Sequence, residues 1–169
     1  EDSYQLIAIL GLGGDHNFYL NEEGQWLCGY VPASLRGFPF ILANSEKGDE
    51  RVLCISEDAL DSKGADQPLF DEDGKLTGAA ADTLDFLQQY DQSRLVTLEA
   101  SKALQEAGLI EPWPVKVENN GELMPVDGFY RIDEKALQEL DSEKLGQLRK
   151  YGALALAYAQ LFSINQLQQ

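Results

Sequence analysis

The segment Gly29–Ala43 places the strongest constraint on the fold of this chain. It is apolar and aromatic, yet it contains two prolines and two glycines. Proline lacks a backbone N–H and has a fixed φ, so neither a plain strand nor a plain helix can run through the segment. Pro32 fits the first turn of a short helix that Gly37 would close. Phe38 precedes a proline and is biased toward extended backbone, so the sequence predicts a bend between the two prolines.

Aromatic side chains cluster around this bend together with one arginine. Arginine beside aromatic residues on an irregular loop is a combination that ligand and peptide grooves use. The alternative is that the aromatic rings fill the core between a sheet and helices. A core location explains the charged Arg36 least well. We therefore predict a binding surface that is exposed to solvent and formed by Trp26, Tyr30, Arg36 and Phe38.

The rest of the first half has the pattern of short strands and turns. Tyr4–Leu10 is a short apolar run of the buried-strand type. The stretch from Phe18 to Cys28 predicts a hairpin, with Asn21–Gly24 as its turn. Phe40–Ala43 and Arg51–Ser56 predict a second antiparallel pair.

A long helix is predicted from Ala79 to Ala107, ended by Gly108. Asp91 interrupts its apolar stripe, and Arg94 lies three residues further on, close enough to pair with that carboxylate. Phe86 lies on a second face of the helix. At 100° per residue, the residues that share the main apolar face are Ala80, Leu84, Leu87, Leu95 and Leu98.

The remaining sequence predicts a hairpin, one more strand and C-terminal helices. The hairpin covers Val115–Met124, and Gly128–Ile132 adds a strand. Asp133 is a good N-cap for a short helix. The final helix starts at Asp141 or Ser142 and runs to about Leu167.

The centre of that final helix, Ala153–Ile164, is apolar on nearly all sides, which is typical of a helix buried in the core. A helix shared across a homodimer interface would hide the same surface. With antiparallel strands before the long helix and a buried helix at the end, the fold class is α+β. Its 169 residues suit one domain, 1–169.

The charge balance excludes several classes of partner. The chain carries 29 acidic and 13 basic residues, a net charge of −16. Such a surface repels phosphate backbones and anionic lipid, so we expect no nucleic-acid partner. The longest apolar run, Ala153–Ala159, is far below the roughly 20 residues that a membrane span needs, so no membrane insertion is expected. The expected partner is a protein or a small-molecule ligand.

No cofactor, metal or catalytic residue is predicted. Ile7–Gly14 mimics a dinucleotide fingerprint, but His16 stands at the third glycine position and no helix follows. Asp71–Gly74 fails as a calcium loop because the first and last ligand positions are apolar, which leaves a surface turn. Cys28 and Cys54 are expected as buried thiols, and they could form a disulfide only if their strands are neighbours.

Four blocks resemble the SapC family, which is named after bacterial surface-array protein export. They are Leu6–Leu12, Gly29–Ala43, Pro68–Gly74 and Gly152–Leu161, and they lie in order along nearly the whole chain. The resemblance implies a link to surface-layer assembly or export in Gram-negative bacteria. It also implies that an N-terminal part of the domain is missing here. The expected location is the cytoplasm, or the periplasm if that part carried a signal.

Three hypotheses about function follow. The first is a non-enzymatic binding or accessory protein that uses Tyr30 and Arg36 as contacts. The second is an enzyme for a small polar or aromatic substrate, with His16 paired with Asp15 or Asp91, whose burial would raise the pKa of the acid. The third is a structural homodimer built on the last helix.

Overall fold

The computed structural model describes residues 3–12, 16–45, 48, 50–60, 68–119 and 122–168, with the backbone alone for 167 and 168. The chain divides into two compact units. The central unit is Trp26–Arg94, and the terminal unit combines Glu1–Gln25 with Leu95–Gln169. Antiparallel strand pairs, one long helix and C-terminal helices confirm the α+β class.

In the central unit, the first helix and hairpin are those that the sequence predicts. Helix α1 is Ala33–Arg36, which begins after Pro32 and ends at Gly37. Strand β1 (Phe40–Asn44) pairs antiparallel with β2 (Arg51–Ile55). A short 3₁₀ turn follows at Glu57–Ala59, and helix α2 begins at Gly78.

Gly37 fixes the position of α1 on α2. A Cβ built on this buried glycine would lie 2.6 Å from Cδ2 of Leu87 and 3.2 Å from the carbonyl oxygen of Phe40. Only a residue without a side chain therefore allows this approach. Leu87 and Ala80 are buried here, as predicted from the helical stripe.

Helix α2 (Gly78–Glu106) ends before Gly108, whose φ of +72° is the left-handed conformation of a helix C-terminus. The stripe predicted for the whole helix is wrong at Leu95, which is 44% exposed. In the terminal unit, α2 buries Ala100 and Leu104 instead. One straight stripe cannot describe this helix, because its two halves belong to different units, each with its own buried residues.

Two strand pairs follow α2 in the terminal unit. Strand β3 (Ile110–Pro112) pairs antiparallel with β6 (Tyr130–Ile132), and β4 (Val115–Asn119) pairs with β5 (Glu122–Val126). The predicted hairpin is confirmed as β4–β5, although residues 120 and 121 of its turn lie outside the described part of the chain. The sequence did not predict β3, where the proline is tolerated because it is the last residue of the strand.

Aspartate caps begin both short C-terminal helices. The carboxylate of Asp133 accepts the N–H of Ala136 at 3.0 Å and begins α3 (Glu134–Gln138). The carboxylate of Asp141 accepts the N–H of Lys144 at 2.8 Å and begins α4 (Ser142–Lys150). The predicted cap at Asp133 is confirmed, and of the two predicted starts of the later helix, Asp141 or Ser142, the structure has Asp141 as the N-cap.

The final helix is not continuous. Gly152 adopts a left-handed φ of +69° and separates α4 from α5 (Ala153–Ile164), which continues as a 3₁₀ turn at Asn165–Gln168. The prediction of one helix to Leu167 is therefore wrong. Gly152 is placed to break it, because glycine adopts this conformation without the steric cost that a Cβ imposes.

One face of α5 enters the core of the terminal unit. Ala153 and Ala157 are fully buried, and Gln160 accepts the N–H of Ile132 at 3.1 Å. The prediction that this helix is buried on nearly all sides is wrong, since Tyr158 is 49% exposed and Phe162 is 72% exposed. The other buried members of this core cluster are Ala100, Leu104, Leu109, Ile132, Leu137 and Leu148.

The predictions for the N-terminal segment are largely wrong. Residues 4–10 are described throughout and form no strand, and Leu6 and Ile7 are more than half exposed. The turn after Leu20 forms, because the Asn21 carboxamide accepts the N–H of Gln25 at 2.7 Å. No regular strand flanks it among residues 16–28. An apolar segment does not form a stable strand when no neighbouring strand or packed surface covers it.

Candidate functional site

An arginine held between two aromatic rings is the main feature of the central unit. The guanidinium carbon of Arg36 lies 5.2 Å from the ring centroid of Tyr30 and 4.8 Å from that of Phe86. Arg36 also donates a hydrogen bond from Nη2 to the Tyr30 hydroxyl at 3.2 Å. The indole N–H of Trp26 donates to the carbonyl oxygen of Tyr30 at 2.9 Å and holds its backbone. These four residues are the Arg36 cluster.

The local sequence explains this arrangement. Pro32 sets the start of α1, so Arg36 stands in the last turn of a one-turn helix. Gly37 then brings that turn close to α2, on which Phe86 precedes the buried Leu87. This approach brings the guanidinium of Arg36 over the ring of Phe86.

The cluster is open to solvent. Tyr30 is 65% exposed, and Arg36 is also exposed. Within the part of the chain that the structure describes, Arg36 forms no ion pair with a carboxylate. Arginine carries several N–H donors in a planar fork, and only one of them is used by the Tyr30 hydroxyl. No other side chain or backbone group in the described part of the chain takes a hydrogen bond from the Arg36 guanidinium, so its remaining donors are available to a ligand there.

Phe38 has the exposure predicted for a binding residue but lies apart from the cluster in its contacts. Its side chain is 74% exposed, so it does not fill the core. Trp26 is partly buried, in contrast. Among the described residues, no hydrogen bond or ring contact joins the Phe38 side chain to Arg36. The binding role of all four predicted residues stays a prediction.

A small cleft lies beside Arg36. It is lined by Arg36, Asp82, Thr83 and Phe86, has a volume of about 210 Å³, and is wide open to solvent. Pockets that enclose a small molecule are usually larger, roughly 300–1,000 Å³. The hydroxyl of Thr83 donates to the carbonyl oxygen of Ala79 at 2.9 Å and retains its acceptor capacity. The cleft therefore fits one side chain or one small polar group, rather than a whole enclosed substrate.

Sequence reasoning missed the roles of Phe86 and Asp82. Both lie on α2, one helical turn apart, and far from Arg36 in the chain. A spacing of four residues placed them on one face of the helix. Nothing in the sequence indicated which face would meet the bend.

The central unit exposes many large apolar side chains besides Tyr30 and Phe38. The other exposed members are Leu27, Leu35, Ile41, Val52, Leu60 and Phe70.

Asp91 forms a structural ion pair on α2. Its two carboxylate oxygens each lie 2.7 Å from Nη2 of Arg51, and Nη2 of Arg94 lies 3.1 Å from Oδ1. Burial raises the pKa of the Asp91 carboxyl, but the hydrogen bonds and charges of Arg94 and Arg51 lower this pKa by more than burial raises it. The net pKa is below its ordinary value, so the prediction of a raised pKa is wrong. A carboxylate that is held ionised by two arginines is a poor general acid.

The other candidate catalytic residues are His16 and Asp15. His16 is exposed and belongs to the terminal unit, whereas Asp91 belongs to the central unit. Asp15 lies outside the described residues, as do Gly13 and Gly14 of the glycine-rich segment.

The cysteines and the acidic turn have simple structures. Cys28 and Cys54 are both free thiols. The prediction that these thiols are buried is wrong for Cys28, which is exposed. Asp71–Gly74 is confirmed as a turn, since the Asp71 carboxylate accepts the N–H groups of Asp73 and Lys75. Among the described residues, no group of three or more His, Cys, Asp or Glu side chains could hold a metal ion.

The fold is an α+β arrangement with an exposed arginine–aromatic cluster. A family model described as SapC matches residues 1–169, so the chain belongs to the SapC family. No curated protein and no solved structure matches it. In the described part of the chain, no helix combines the length and apolar character that crossing a bilayer requires.

Proposed function

We propose that this chain is a non-enzymatic binding protein that recognises a protein partner through the Arg36 cluster and the adjoining bend. The observation that supports the proposal is an exposed arginine that lies over two aromatic rings and has no carboxylate partner in the described chain. Tyrosine and arginine are enriched among the residues that dominate binding energy at protein interfaces. A preorganised guanidinium also loses less conformational entropy when it binds.

The size and shape of the cleft favour a protein over a small molecule. A space of about 210 Å³ that is open to solvent buries only part of a drug-sized ligand. A single side chain of a partner fits it, with Phe86 as the apolar wall and Asp82 as a polar group at the rim. Phe38 and Ile41 are also exposed, and we propose that they add apolar contact with the partner.

For the identity of the partner, we propose a protein of surface-layer assembly or export. This part of the proposal follows the name of the SapC family, to which the chain belongs. The chain would act there as an accessory component that holds a partner, because the geometry supports recognition rather than bond-making chemistry.

The test compares partners captured from the native host by the wild-type chain and by Arg36→Ala and Tyr30→Ala. Each partner that depends on both residues is then purified and titrated calorimetrically. Loss of a central arginine or tyrosine typically costs about 2 kcal/mol, so we expect roughly 30-fold weaker binding. Arg36→Lys keeps the charge but loses the planar stacking, and should fall between the two.

Matched controls come from the same unit. Lys75→Ala removes an exposed base, and Phe70→Ala removes an exposed aromatic ring, both outside the Arg36 cluster. Both variants should bind like the wild type, and circular dichroism should show that all variants are folded. If Arg36→Ala and Tyr30→Ala retain every partner at wild-type affinity, the proposal is wrong.

A further inference from the structure

Helix α5 presents an exposed apolar stripe that the core does not use. Ala155, Tyr158, Ala159 and Phe162 are all exposed, and their spacing of three and four residues places them on one face. The rings of Tyr158 and Phe162 stack on each other, with centroids 6.4 Å apart and an interplanar angle of 27°. The opposite face is anchored in the core through Ala153 and Ala157, so the stripe is held on a fixed scaffold.

The order of small and large residues along this stripe is self-complementary. Two copies of α5 can be placed antiparallel, with the two-fold axis between Tyr158 and Ala159. Ala155 then faces the partner's Phe162, and Tyr158 faces the partner's Ala159. Each aromatic ring meets an alanine, which allows close helix approach and dense packing. In a parallel arrangement, rings would face rings and alanines would face alanines, leaving gaps.

The charge distribution favours a second copy at this face. Two copies with a net charge of −16 repel each other over most of their surfaces. Residues 151–169 contain no charged side chain, so α5 itself adds no side-chain charge repulsion to the contact. Lys150 precedes the start of α5, and in the antiparallel arrangement its position lies opposite the C-terminal end of the partner's helix. That end carries partial negative charge from its free carbonyl groups.

We propose that α5 is the interface of an antiparallel homodimer of this chain. Its 12 residues extend about 18 Å at roughly 1.5 Å per residue. A contact of one helix face is at the small end of specific interfaces, so the dimer dissociates on dilution. It lies in the terminal unit and is independent of the Arg36 cluster.

Sedimentation velocity of the full chain over a wide concentration range tests the proposal. The wild type should shift from monomer to dimer, and Phe162→Ala should weaken the dimer at least tenfold. Ala159→Phe is the decisive variant, because it fills the space that the partner's Tyr158 occupies. It should weaken dimerisation too. If α5 associates through nonspecific apolar contact, Ala159→Phe should instead strengthen association, because it adds apolar surface. That result would overturn the proposal.

Cysteine cross-linking tests the orientation in a chain that carries Cys28→Ser and Cys54→Ser. Near the two-fold axis, Ala159→Cys lies within about one residue rise of its own copy and should form a disulfide-linked dimer. Ala155→Cys is displaced from its copy by about 10 Å along the axis and should not. Equal cross-linking of both variants would indicate a parallel pair and contradict the proposal, as would a monomer at every concentration. Arg36→Ala should dimerise normally, which separates this result from the partner-binding test.

Discussion

Asp91→Asn should destabilise the central unit by about 1 kcal/mol at neutral pH. The substitution keeps the shape of the side chain but removes the charge that binds Arg51 and Arg94. Exposed ion pairs contribute roughly 0.2–1 kcal/mol each, and the Arg51 contact, at 2.7 Å to both oxygens, is at the upper end of that range. The side chains are 21–42% exposed, so solvent screening keeps the total well below that of a buried pair.

The effect should depend on pH in a defined direction. The folded-state pKa of Asp91 is lowered from its ordinary value of 3.8, because the two arginines favour the ionised form over the opposing effect of burial. The stabilisation is therefore fully present above pH 3.8 and is lost as the pH falls through the folded-state pKa. Wild type and Asp91→Asn should differ at pH 7 and converge at the acid end of the titration.

Urea denaturation in a Trp113→Phe background measures this, because the remaining Trp26 lies in the central unit. Asp85→Asn is the matched control, since it removes an acid on the same helix that forms no ion pair with another described residue. It should be neutral or slightly stabilising in a chain of net charge −16. Equal stability of wild type and Asp91→Asn at pH 7, or a difference that persists below the folded-state pKa, would refute the reasoning.

Three further substitutions test the packing and the caps. Gly37→Ala should cost about 1–3 kcal/mol by overpacking against a leucine of α2, whereas Gly29→Ala, with no heavy atom within 4 Å of its Cβ, should be nearly neutral in urea denaturation. Asp133→Ala removes the N-cap of α3 and should cost about 1 kcal/mol in thermal unfolding, while Asp133→Asn retains the acceptor and most of the stability. Gln160→Ala leaves the N–H of Ile132 without its acceptor and should cost about 1–3 kcal/mol, with Gln160→Glu closer to wild type; hydrogen exchange at that amide should rise in the alanine variant.

Some signals were present in the sequence and were not used. Gly152 follows two basic residues, Arg149 and Lys150, which together form the usual signal for a helix C-terminus. The apolar pattern on both sides of Gly152 masked it. Likewise, the apolar character of residues 4–10 predicted a strand, but a strand also requires a neighbour that covers it, and hydrophobicity alone does not supply one.

The limits of α1, the Asp71 turn and the caps at Asp133 and Asp141 followed from the sequence by itself. Proline, glycine and aspartate act on backbone within a few residues, so their effects are readable locally. Only the tertiary structure decided that Phe86 covers the guanidinium of Arg36. Such contacts join residues that are distant in the chain, and they depend on how a helix is rotated against its neighbour. An error of one residue in the predicted position rotates the predicted contact face of the helix by 100°.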